Sequence, residues 1–540
     1  MYPAMFHRLF PFPGDRAIVF LLLFVSIAFP SRAGTFYVSK SGNGSAGDSW
    51  ETAYNDLTVA VAASSAGDQI WLASGTYVES VTLDHEIVLF GGFAGTEEQL
   101  GERDWKVDET VLQGATDTSP AVVILSDATL DGLTIAESPG GGIAAITATA
   151  VLKNCCIRDN VLPDSQGLFG GGVRCVSSTC IVEGCEIRSN QAAHGGGLSA
   201  TSDSRIVISD SMIVNNTSTS NQGGGGGIHL ESSWGQISNS RISENHSKYG
   251  GGIILEAFST LEILRTLLTD NTASRPVFWG SYGEGGGICN RDSLLSLKNC
   301  ILSDNFASAG AALFSRGTAG NDLAFCTIWG NRIGDGGGVN REGSTVITNS
   351  IIYKNHTNQV VGHGPIYITY SAIEGGWPGI GNIWADPLLK DPTLNNFRLR
   401  PDSPCIDAGS TVGPDVDFEG YPRPVDVPGI GREGDDAFDM GALEGDAPSN
   451  PRETFTFIPT PSPTLTPTWT IVPTITSTPT STAPWADFVG IIENPSLFGS
   501  GDFGSSIVVL GTKLAVGCPG DGHRGRCCDG AVFILVPRPG

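Results

Sequence analysis

The sequence predicts an all-β protein whose central part is a right-handed parallel β-helix, a solenoid of stacked coils. A glycine cluster closed by an aliphatic residue recurs eight times between positions 140 and 355, and each repeat ends on an asparagine. Aliphatic residues keep fixed distances from that asparagine. β-Branched residues dominate and no stretch keeps a 3.6-residue period, which excludes a helical solenoid.

The length of the repeat hardly varies. The glycine clusters begin at Gly140, Gly170, Gly195, Gly225, Gly250, Gly285, Gly310 and Gly336. The closing asparagines are Asn160, Asn190, Asn216, Asn245, Asn271, Asn305, Asn331 and Asn355. From first glycine to asparagine the distance is 19 to 21 residues in every repeat, so we expect coils of equal cross-section.

Residues at three fixed distances before each asparagine are predicted to form the interior of the coil. Eight positions before it stand Leu152, Val182, Ile208, Ile237, Ile263, Leu297, Leu323 and Ile347. Three positions before it stand Ile157, Ile187, Ile213, Ile242, Leu268, Leu302, Ile328 and Ile352. Five positions before it the residue is always small, namely Cys155, Cys185, Ser211, Ser240, Thr266, Cys300, Cys326 or Ser350. The last two sets differ by two positions and therefore share one face of a strand.

Stacking the coils places each buried side chain about 4.8 Å from its counterpart in the next coil. We therefore expect Ile213, Ile242 and Leu268 to form a single file, each contributing roughly 1.5–3 kcal/mol by burial. The asparagines should stack at one corner with their amides bonded to one another and to backbone. Glycines should supply the positive φ of another corner. The right-handed sense follows from the chirality of parallel crossovers.

Residues 1–33 are predicted to be a signal peptide. Arg8 and Arg16 precede an apolar run over 17–29, and Ser31-Arg32-Ala33 has the small-x-small form of a cleavage site. The run is short for a membrane span. The sequence thus predicts a secreted or cell-surface protein with no membrane span in the mature chain; an uncleaved anchor is the alternative.

The charge balance narrows the class of partner. The formal net charge is -25, only 16% of residues are charged, and there are 72 glycines. Such a balance excludes nucleic acid as a partner and favours cations, or neutral and cationic surfaces.

Twelve cysteines raise the question of disulfide bonds. Cys155, Cys185, Cys300 and Cys326 occupy one inward slot, so we expect buried thiols there, with bridges between neighbouring coils as the alternative. Better disulfide candidates are Cys175 with Cys180, and Cys518 with Cys527 or Cys528. No paired CxxC spacing with histidines predicts a zinc site.

Residues 34–120 are predicted to form an N-terminal cap and the first coils, and residues 121–376 the repeated coils. We expect a strand at Thr35–Val38, a helix at Thr52–Ala63 and a strand at Gln69–Leu72. A cap is needed because the end of a stack exposes unpaired backbone.

Several segments resemble a known family. Thr35–Ser39, Gly67–Leu72 and Gly91–Glu97 resemble the opening of exported bacterial right-handed β-helix proteins, including polymorphic-outer-membrane-protein-like chains and those related to the pectate lyase 9A fold. Within 377–446, Ala385–Pro387, Ser403–Gly409 and Asp439–Glu444 resemble the choice-of-anchor Q region that closes many such helices. The resemblance implies an architecture and does not specify a reaction.

Residues 447–484 are rich in proline and threonine, which predicts a disordered, extended linker. Beyond it, 485–540 resembles one FG-GAP repeat, the blade of a β-propeller, in the segments 498–506 and 514–520. A single blade cannot bury its faces. We expect either that the chain stops where a propeller begins or that this piece packs on a partner.

The position of the inserts predicts a binding edge. Between an asparagine and the next glycine cluster the chain lengthens at 161–169, at 217–224 and most at 272–284. All three inserts leave from one corner, so they should crowd one edge of the solenoid. The longest insert carries Arg275, Phe278, Trp279 and Tyr282, a set that suits sugar rings or an acidic glycan.

One position before the asparagine, Glu244, Asp270 and Asp304 stand in successive coils. Stacked carboxylates repel one another, which makes a bound calcium ion a possible partner. The alternative is that these carboxylates are solvated and the insert aromatics pack on the solenoid. In the closing region, Asp415, Asp417, Arg423, Asp436 and Asp439 are expected to form salt-bridged structure, with calcium as the alternative.

The function predicted from these features is adhesin-like binding or display, with an extracellular glycan or another cell surface as partner. A calcium-dependent polysaccharide lyase or glycoside hydrolase on the same scaffold is one alternative, and a purely structural stalk is another. Lys153, Lys248, Lys298 and Lys354 lie on different coils without an aspartate cluster, so no catalytic residue is predicted.

Overall fold

The computed structural model describes residues 33–163, 169–220, 224–274, 283–410, 412–432, 434 and 438–445, together with four strands between 488 and 535. The chain divides into two units, 1–460 and 461–540. The predicted signal peptide and the Pro/Thr-rich linker lie outside the described residues.

The first unit is built on three long parallel sheets that share one axis. Sheet A contains β1 (Thr35–Val38), β2 (Asp68–Ala73), β5 (Ile87–Phe93), β8 (Ala128–Asp131), β11 (Thr149–Lys153), β14 (Thr179–Glu183), β18 (Arg205–Ser209), β22 (Trp234–Ser238), β26 (Thr260–Leu264), β30 (Leu294–Lys298), β34 (Gly320–Ala324), β38 (Ser344–Thr348) and β41 (Ile366–Thr369).

Sheet B contains β3 (Gly75–Val78), β6 (Thr110–Gln113), β9 (Thr134–Ala136), β12 (Cys156–Arg158), β15 (Glu186–Arg188), β19 (Met212–Val214), β23 (Arg241–Ser243), β27 (Leu267–Thr269), β31 (Ile301–Ser303), β35 (Thr327–Trp329), β39 (Ile351–Tyr353) and β42 (Ala372–Ile373). Sheet C contains β4 (Val81–Leu83), β7 (Val122–Ile124), β10 (Ile143–Ile146), β13 (Val173–Val176), β17 (Leu198–Thr201), β21 (Ile228–Glu231), β25 (Ile253–Glu256), β29 (Ile288–Arg291), β33 (Leu313–Arg316), β37 (Val339–Arg341) and β40 (Val360–Gly362).

Sheet D is a shorter ladder between sheets B and C. It contains β16 (Gln191–Ala192), β20 (Thr217–Ser218), β24 (His246–Ser247), β28 (Thr272–Ala273), β32 (Phe306–Ala309) and β36 (Arg332–Gly336). Each coil thus contributes one strand to each long sheet, and the chain forms a parallel β-helix, as predicted.

The predicted file of aliphatic side chains exists. Ile213 pairs with Ile242, and Ile242 pairs with Leu268, in successive strands of sheet B. All three are fully buried in one continuous hydrophobic core. The prediction on which the coil register depended is confirmed.

The asparagines form a continuous ladder. The backbone N–H of Asn190 donates to the Oδ1 of Asn216 at 3.0 Å, and its Nδ2 donates to the Ile157 carbonyl at 2.8 Å. The same pattern runs to Asn355, which bonds Gln359. Each coil's buried amide is therefore satisfied by its neighbour, which removes the cost of burying it.

The glycines of the repeat have two distinct roles. Gly195 adopts a φ of +58°, the left-handed conformation expected at this corner. A Cβ on Gly172 would lie 2.6 Å from the Gly197 oxygen and 2.9 Å from Nδ2 of Asn190. The last glycine of the cluster is therefore required by the close approach of the asparagine ladder.

The N-terminal cap contains a shorter helix than the sequence predicted. The helix α1 spans Leu57–Ala63 and not Thr52–Ala63, and it buries Leu57, Ala60 and Val61 against the first coils. Its first two N–H groups, on Leu57 and Thr58, donate hydrogen bonds to the carboxylate of Glu79, which lies outside the helix. A carboxylate at this end stabilises the helix start.

The cysteines follow the predicted division. Cys175 and Cys180 are disulfide-bonded, while Cys155, Cys185, Cys300 and Cys326 are buried free thiols. The Cys155 backbone N–H donates to Sγ of Cys185 at 3.4 Å, so the thiol takes the place that a hydroxyl occupies elsewhere in this slot. The other predicted pair, at 518 and 527 or 528, lies outside the described residues.

Residues 386–445, here the flank segment, lie along the outer face of sheet B. They include the antiparallel hairpin β43 (Leu389–Asp391) and β44 (Asn396–Leu399). Met440, Ala442 and Leu443 pack with the outward side chains Ile301 and Ile351 in a second hydrophobic cluster. The segment therefore covers the side of the last coils.

A buried ion pair lies in the flank segment, and the partner of Arg423 is Glu444, not one of the aspartates named from the sequence. Nε of Arg423 donates to Glu444 at 2.7 Å with both side chains fully buried, and Nη1 of Arg423 donates to Asn299 of the solenoid at 2.8 Å. Burial and the charge of Glu444 raise the pKa of Asp439 well above its usual range.

The second unit contains four antiparallel strands, β45 (Phe488–Ile492), β46 (Ser506–Leu510), β47 (Lys513–Gly517) and β48 (Val532–Leu535), in that order. The assignment of this unit to an FG-GAP blade, and of the flank segment to a choice-of-anchor Q region, stays a prediction.

Candidate ligand-binding site

The described ends of the three inserts lie on one edge of the solenoid, beside sheet C. Bridges join Phe169 to His194, Gly224 to Tyr249, and Tyr249 to Glu284. This edge, here the insert edge, is the one predicted from the repeat. The aromatic set Arg275, Phe278, Trp279 and Tyr282 lies outside the described residues, so its role in binding stays a prediction.

The candidate calcium ligands occupy a strained turn. Glu244, Asp270 and Asp304 all have positive φ, between 53° and 60°, at the corner before the asparagine ladder. Asp and Asn tolerate this conformation better than most residues, which gives a backbone reason for polar residues there.

The electrostatics of these carboxylates are uneven. Burial and the nearby charge of Asp270 raise the pKa of Asp304, whereas Glu244 lies 3.8 Å from Arg241. In the described ranges no group of three or more His, Cys, Asp or Glu side chains is arranged to hold a metal ion. Calcium binding by these three residues stays a prediction.

A charged cluster forms the base of the insert edge. Arg291 donates to Glu256 at 2.9 Å and to Glu284 at 3.0 Å, and its guanidinium lies 4.0 Å from the centre of the Tyr249 ring. Burial raises the pKa of Glu256, but the hydrogen bond and charge of His229 and the charge of Arg291 outweigh it and lower that pKa to about 2. The cluster is thus an ionised, internally paired structure.

Three residues of sheet C resemble a hydrolytic triad in their contacts. Oγ of Ser199 lies 3.2 Å from Nδ1 of His229, and Nε2 of His229 lies 3.4 Å from Glu256. Ser199 is fully buried and His229 is 1% exposed. A serine that no substrate reaches cannot act as a nucleophile. The contacts among Ser199, His229 and Glu256 therefore stabilise the edge.

A groove of about 460 Å³ lies on the outer face of sheet A. It crosses the strands β22, β26, β30, β34 and β38. Its depression lies at Gly320, which stands in register between Leu294 and Ser344 and has no side chain to fill the row. The groove therefore results from one glycine in an otherwise occupied outward row.

The two outward rows that border the groove differ in chemistry. The first row carries the Trp234 ring and Leu294, which is 59% exposed. Arg205 stands over Trp234, 4.5 Å from the ring centre. With Thr260 between them, Trp234 and Leu294 give this row apolar surface that water contacts directly.

The second row is polar over three strands and ends on Val346, which is 36% exposed. Glu262 pairs in register with Ser296, and Ser296 with Asp322, so the three line one side of the groove. Glu262 is 3.7 Å from Lys298, which lies outside the lining, and both are more than a third exposed. The lining thus offers carboxylate and hydroxyl oxygens beside an apolar strip.

The repeat does not predict this groove, because its spacing constrains only the inward half of each strand. Strand alternation places Trp234, Glu262, Leu294 and Asp322 on the outer face. The sequence signal that could have predicted the groove is Leu294 at the start of β30 followed by Gly320 at the same position of β34.

Comparisons with known proteins concern the fold. A family model described as a right-handed β-helix region matches residues 109–233. Pectate lyase Pel9A is 14% identical, with 77% of this chain and 97% of that chain covered and a TM-score of 0.42. No curated protein matches the chain.

Two further solved structures show the same kind of likeness. The complex of XylC with xylose is 10% identical, with 76% of this chain and 99% of that chain covered and a TM-score of 0.39. A pectin methylesterase in complex with a hexasaccharide is 14% identical, with 49% and 80% covered and a TM-score of 0.25. The family match and the stacked parallel sheets together identify the fold as a right-handed parallel β-helix, as the sequence predicted.

Proposed function

We propose that the protein is a secreted or cell-surface carbohydrate-binding protein and that the groove on sheet A is its binding site. The observation that carries this proposal is a row with the half-buried Trp234 ring and the exposed Leu294 next to a row with two carboxylates and a hydroxyl. Pyranose rings have apolar faces and hydroxyl edges, so they match both rows at once.

The uncovered state of sheet A supports the proposal. The outward aliphatic residues of sheet B are covered by the flank segment, whereas Leu294 on sheet A is left 59% exposed. None of the helices in the described ranges has the length and apolar character needed to cross a bilayer. Export by the predicted signal peptide belongs to the same proposal.

The insert edge is a second surface for the same function. Its aromatic residues and its calcium ligands stay predictions, and an adhesin-like contact with another surface would use this edge. Binding that depends on calcium would therefore point to the insert edge and not to the groove.

A glycoside hydrolase is the second candidate, because Glu262 and Asp322 lie two strands apart on one row. Two strand spacings separate their Cα atoms by about 9.6 Å. Inverting glycosidases hold their two carboxyl groups about 6.5–9.5 Å apart. A lyase would need a basic residue close to the sugar, and a structural stalk would neither bind nor cleave.

One experiment separates these candidates. The full chain is incubated with a panel of linear oligosaccharides, and both retention and new reducing or unsaturated ends are measured. We expect retention without cleavage, lost in Trp234→Ala and kept in Val107→Ala, which removes an exposed aliphatic residue outside the groove. New ends that disappear in Asp322→Asn would favour the hydrolase, and no retention of any sugar would contradict the proposed function.

A further inference from the structure

We infer that the groove on sheet A takes an uncharged pyranose chain, laid along the solenoid axis, and rejects uronic acid chains. This inference rests on the proposed function, and it names the class of sugar and its direction.

The direction follows from the register of the strands. The apolar and the polar row each run from one strand to the next, so both are parallel to the solenoid axis. From β22 to β38 there are four strand spacings, a length of about 19 Å. A linear oligosaccharide of several sugars fits this length, while a single sugar would contact only part of either row.

The two rows divide the contacts of such a chain. Trp234 and Leu294 would face the apolar sides of alternate rings, and Glu262, Ser296 and Asp322 would accept hydrogen bonds from hydroxyl groups. The Arg205 guanidinium stacks over the Trp234 ring. The ring also lines the groove, so the ligand would contact the part of the ring that Arg205 does not cover.

The charge of the lining selects the class of sugar. Two carboxylates and no basic side chain line the groove. Lys298 offsets Glu262 at 3.7 Å, and no ion pair of Asp322 is found among the described residues. A uronic acid carboxylate placed beside Asp322 would be repelled, and this repulsion acts as selection against acidic chains.

The insert edge differs from the groove, because its arginines are already paired. Arg291 contacts Glu256 and Glu284, and Arg316 contacts Glu284. The charge selection proposed here is therefore assigned to the groove on sheet A alone.

The test is calorimetric titration of the full chain with linear gluco- or xylo-oligosaccharides and with oligogalacturonates of matched length. We expect the neutral chains to bind at least about tenfold more tightly, a difference of about 1.4 kcal/mol. Affinity should rise with chain length until the groove is filled. Wild-type binding of oligogalacturonate at equal or higher affinity in the groove would overturn the inference.

Variants assign the effect to the groove. Glu262→Gln with Asp322→Asn should raise the affinity for oligogalacturonate by about tenfold relative to neutral chains, because the repulsion is removed. Glu183→Gln is the matched control, since Glu183 also pairs with a lysine on sheet A but lies outside the groove. No change in selectivity in the double variant would overturn the inference while leaving the proposed function intact.

A filling variant tests the location without changing charge. In Gly320→Val the added carbons would fill the depression. The new Cβ would lie 3.0 Å from Cδ2 of Leu294. We expect the loss of at least about nine-tenths of the affinity for neutral chains, about 1.4 kcal/mol, with an unchanged circular dichroism spectrum. Full affinity in this variant would place the neutral-sugar site elsewhere, and no sugar binding in the wild type would instead contradict the proposed function.

Discussion

The outer faces of sheets A and B carry similar residues but have different surroundings. Ile301 at the start of β31 and Leu294 at the start of β30 are aliphatic and point away from the solenoid core. Ile301 is 3% exposed under the flank segment, and Leu294 is 59% exposed. The flank segment therefore covers the outward aliphatic residues of sheet B, whereas Leu294 on sheet A stays in contact with water.

The cover on sheet B depends on one buried ion pair, so removing it should have the largest effect. Arg423→Met leaves Glu444 buried without its cation, which costs about 3–5 kcal/mol. We expect denaturant unfolding at a lower midpoint, and rapid proteolysis within 386–445 under native conditions. The sugar affinity of the groove should change less than the stability, because Arg423 contacts Asn299 and Phe325, which follow the groove strands β30 and β34 but do not line the groove.

Lys153→Met is the control for that variant. Lys153 and Glu183 form an ion pair of 2.8 Å, but both are more than 40% exposed. Exposed pairs contribute about 0–1 kcal/mol, so the unfolding midpoint should hardly move. Equal effects of the two variants would show that the flank segment is not held by Arg423.

The second prediction compares the two faces directly. Ile301→Ala removes buried methyl groups and should destabilise the protein by about 2–4 kcal/mol. Leu294→Ala removes exposed ones and should change the free energy of unfolding by at most about 0.5 kcal/mol. Only Leu294→Ala should weaken sugar binding. Matching stability losses would mean that Leu294 is covered in solution.

These two residues also show how far the sequence could lead. The inward rows were predictable, because a fixed spacing from each asparagine repeats eight times and the core tolerates only aliphatic or small residues there. The outward rows obey no such constraint. Whether Ile301 or Leu294 is covered depends on contacts from far along the chain, such as the bond from Arg423 to Asn299, 124 residues apart.

Other differences have local causes. The coils that include β2 to β9, and the last coil with β41 and β42, lack the glycine cluster or the asparagine. Coils were predicted over these ranges, but of their strands only the one at Gln69–Leu72 was placed. The carboxylates Glu244, Asp270 and Asp304 suggested a metal, but their position also serves a left-handed turn, and sequence alone does not separate the two.

The third prediction concerns sheet C. Its outer face is partly covered, because Tyr249 of the insert edge packs on Ile254, Cys289 and Phe314. The pKa of Glu256 is lowered from 4.5 to about 2. Its ionised form therefore stabilises the fold above pH 4.5, and this contribution, on the order of 2–3 kcal/mol at most, is lost as the pH falls from 4.5 to about 2. The loss should be seen as a falling free energy of unfolding over this range.

Glu256→Gln tests this assignment. The variant should be less stable than the wild type at pH 7, and the difference between them should shrink below pH 4.5. A constant difference between Glu256→Gln and the wild type from pH 7 to 2 would contradict the role of its ionisation.

The smallest expected effect concerns the open face itself. Arg205 lies 4.5 Å from the centre of the Trp234 ring, and an exposed contact of this kind contributes about 0.5–1 kcal/mol. Arg205→Ala should leave the unfolding midpoint nearly unchanged but weaken binding of neutral sugars about two- to fivefold, because the ring is held in fewer orientations when the cation is present. Arg205→Lys, which keeps a cation without the planar stack, should lie between the two. If Arg205→Ala binds as tightly as the wild type while Trp234→Ala does not bind, the ring is oriented by its own packing on β22 and β26, and the open face is pre-organised without help from its neighbour.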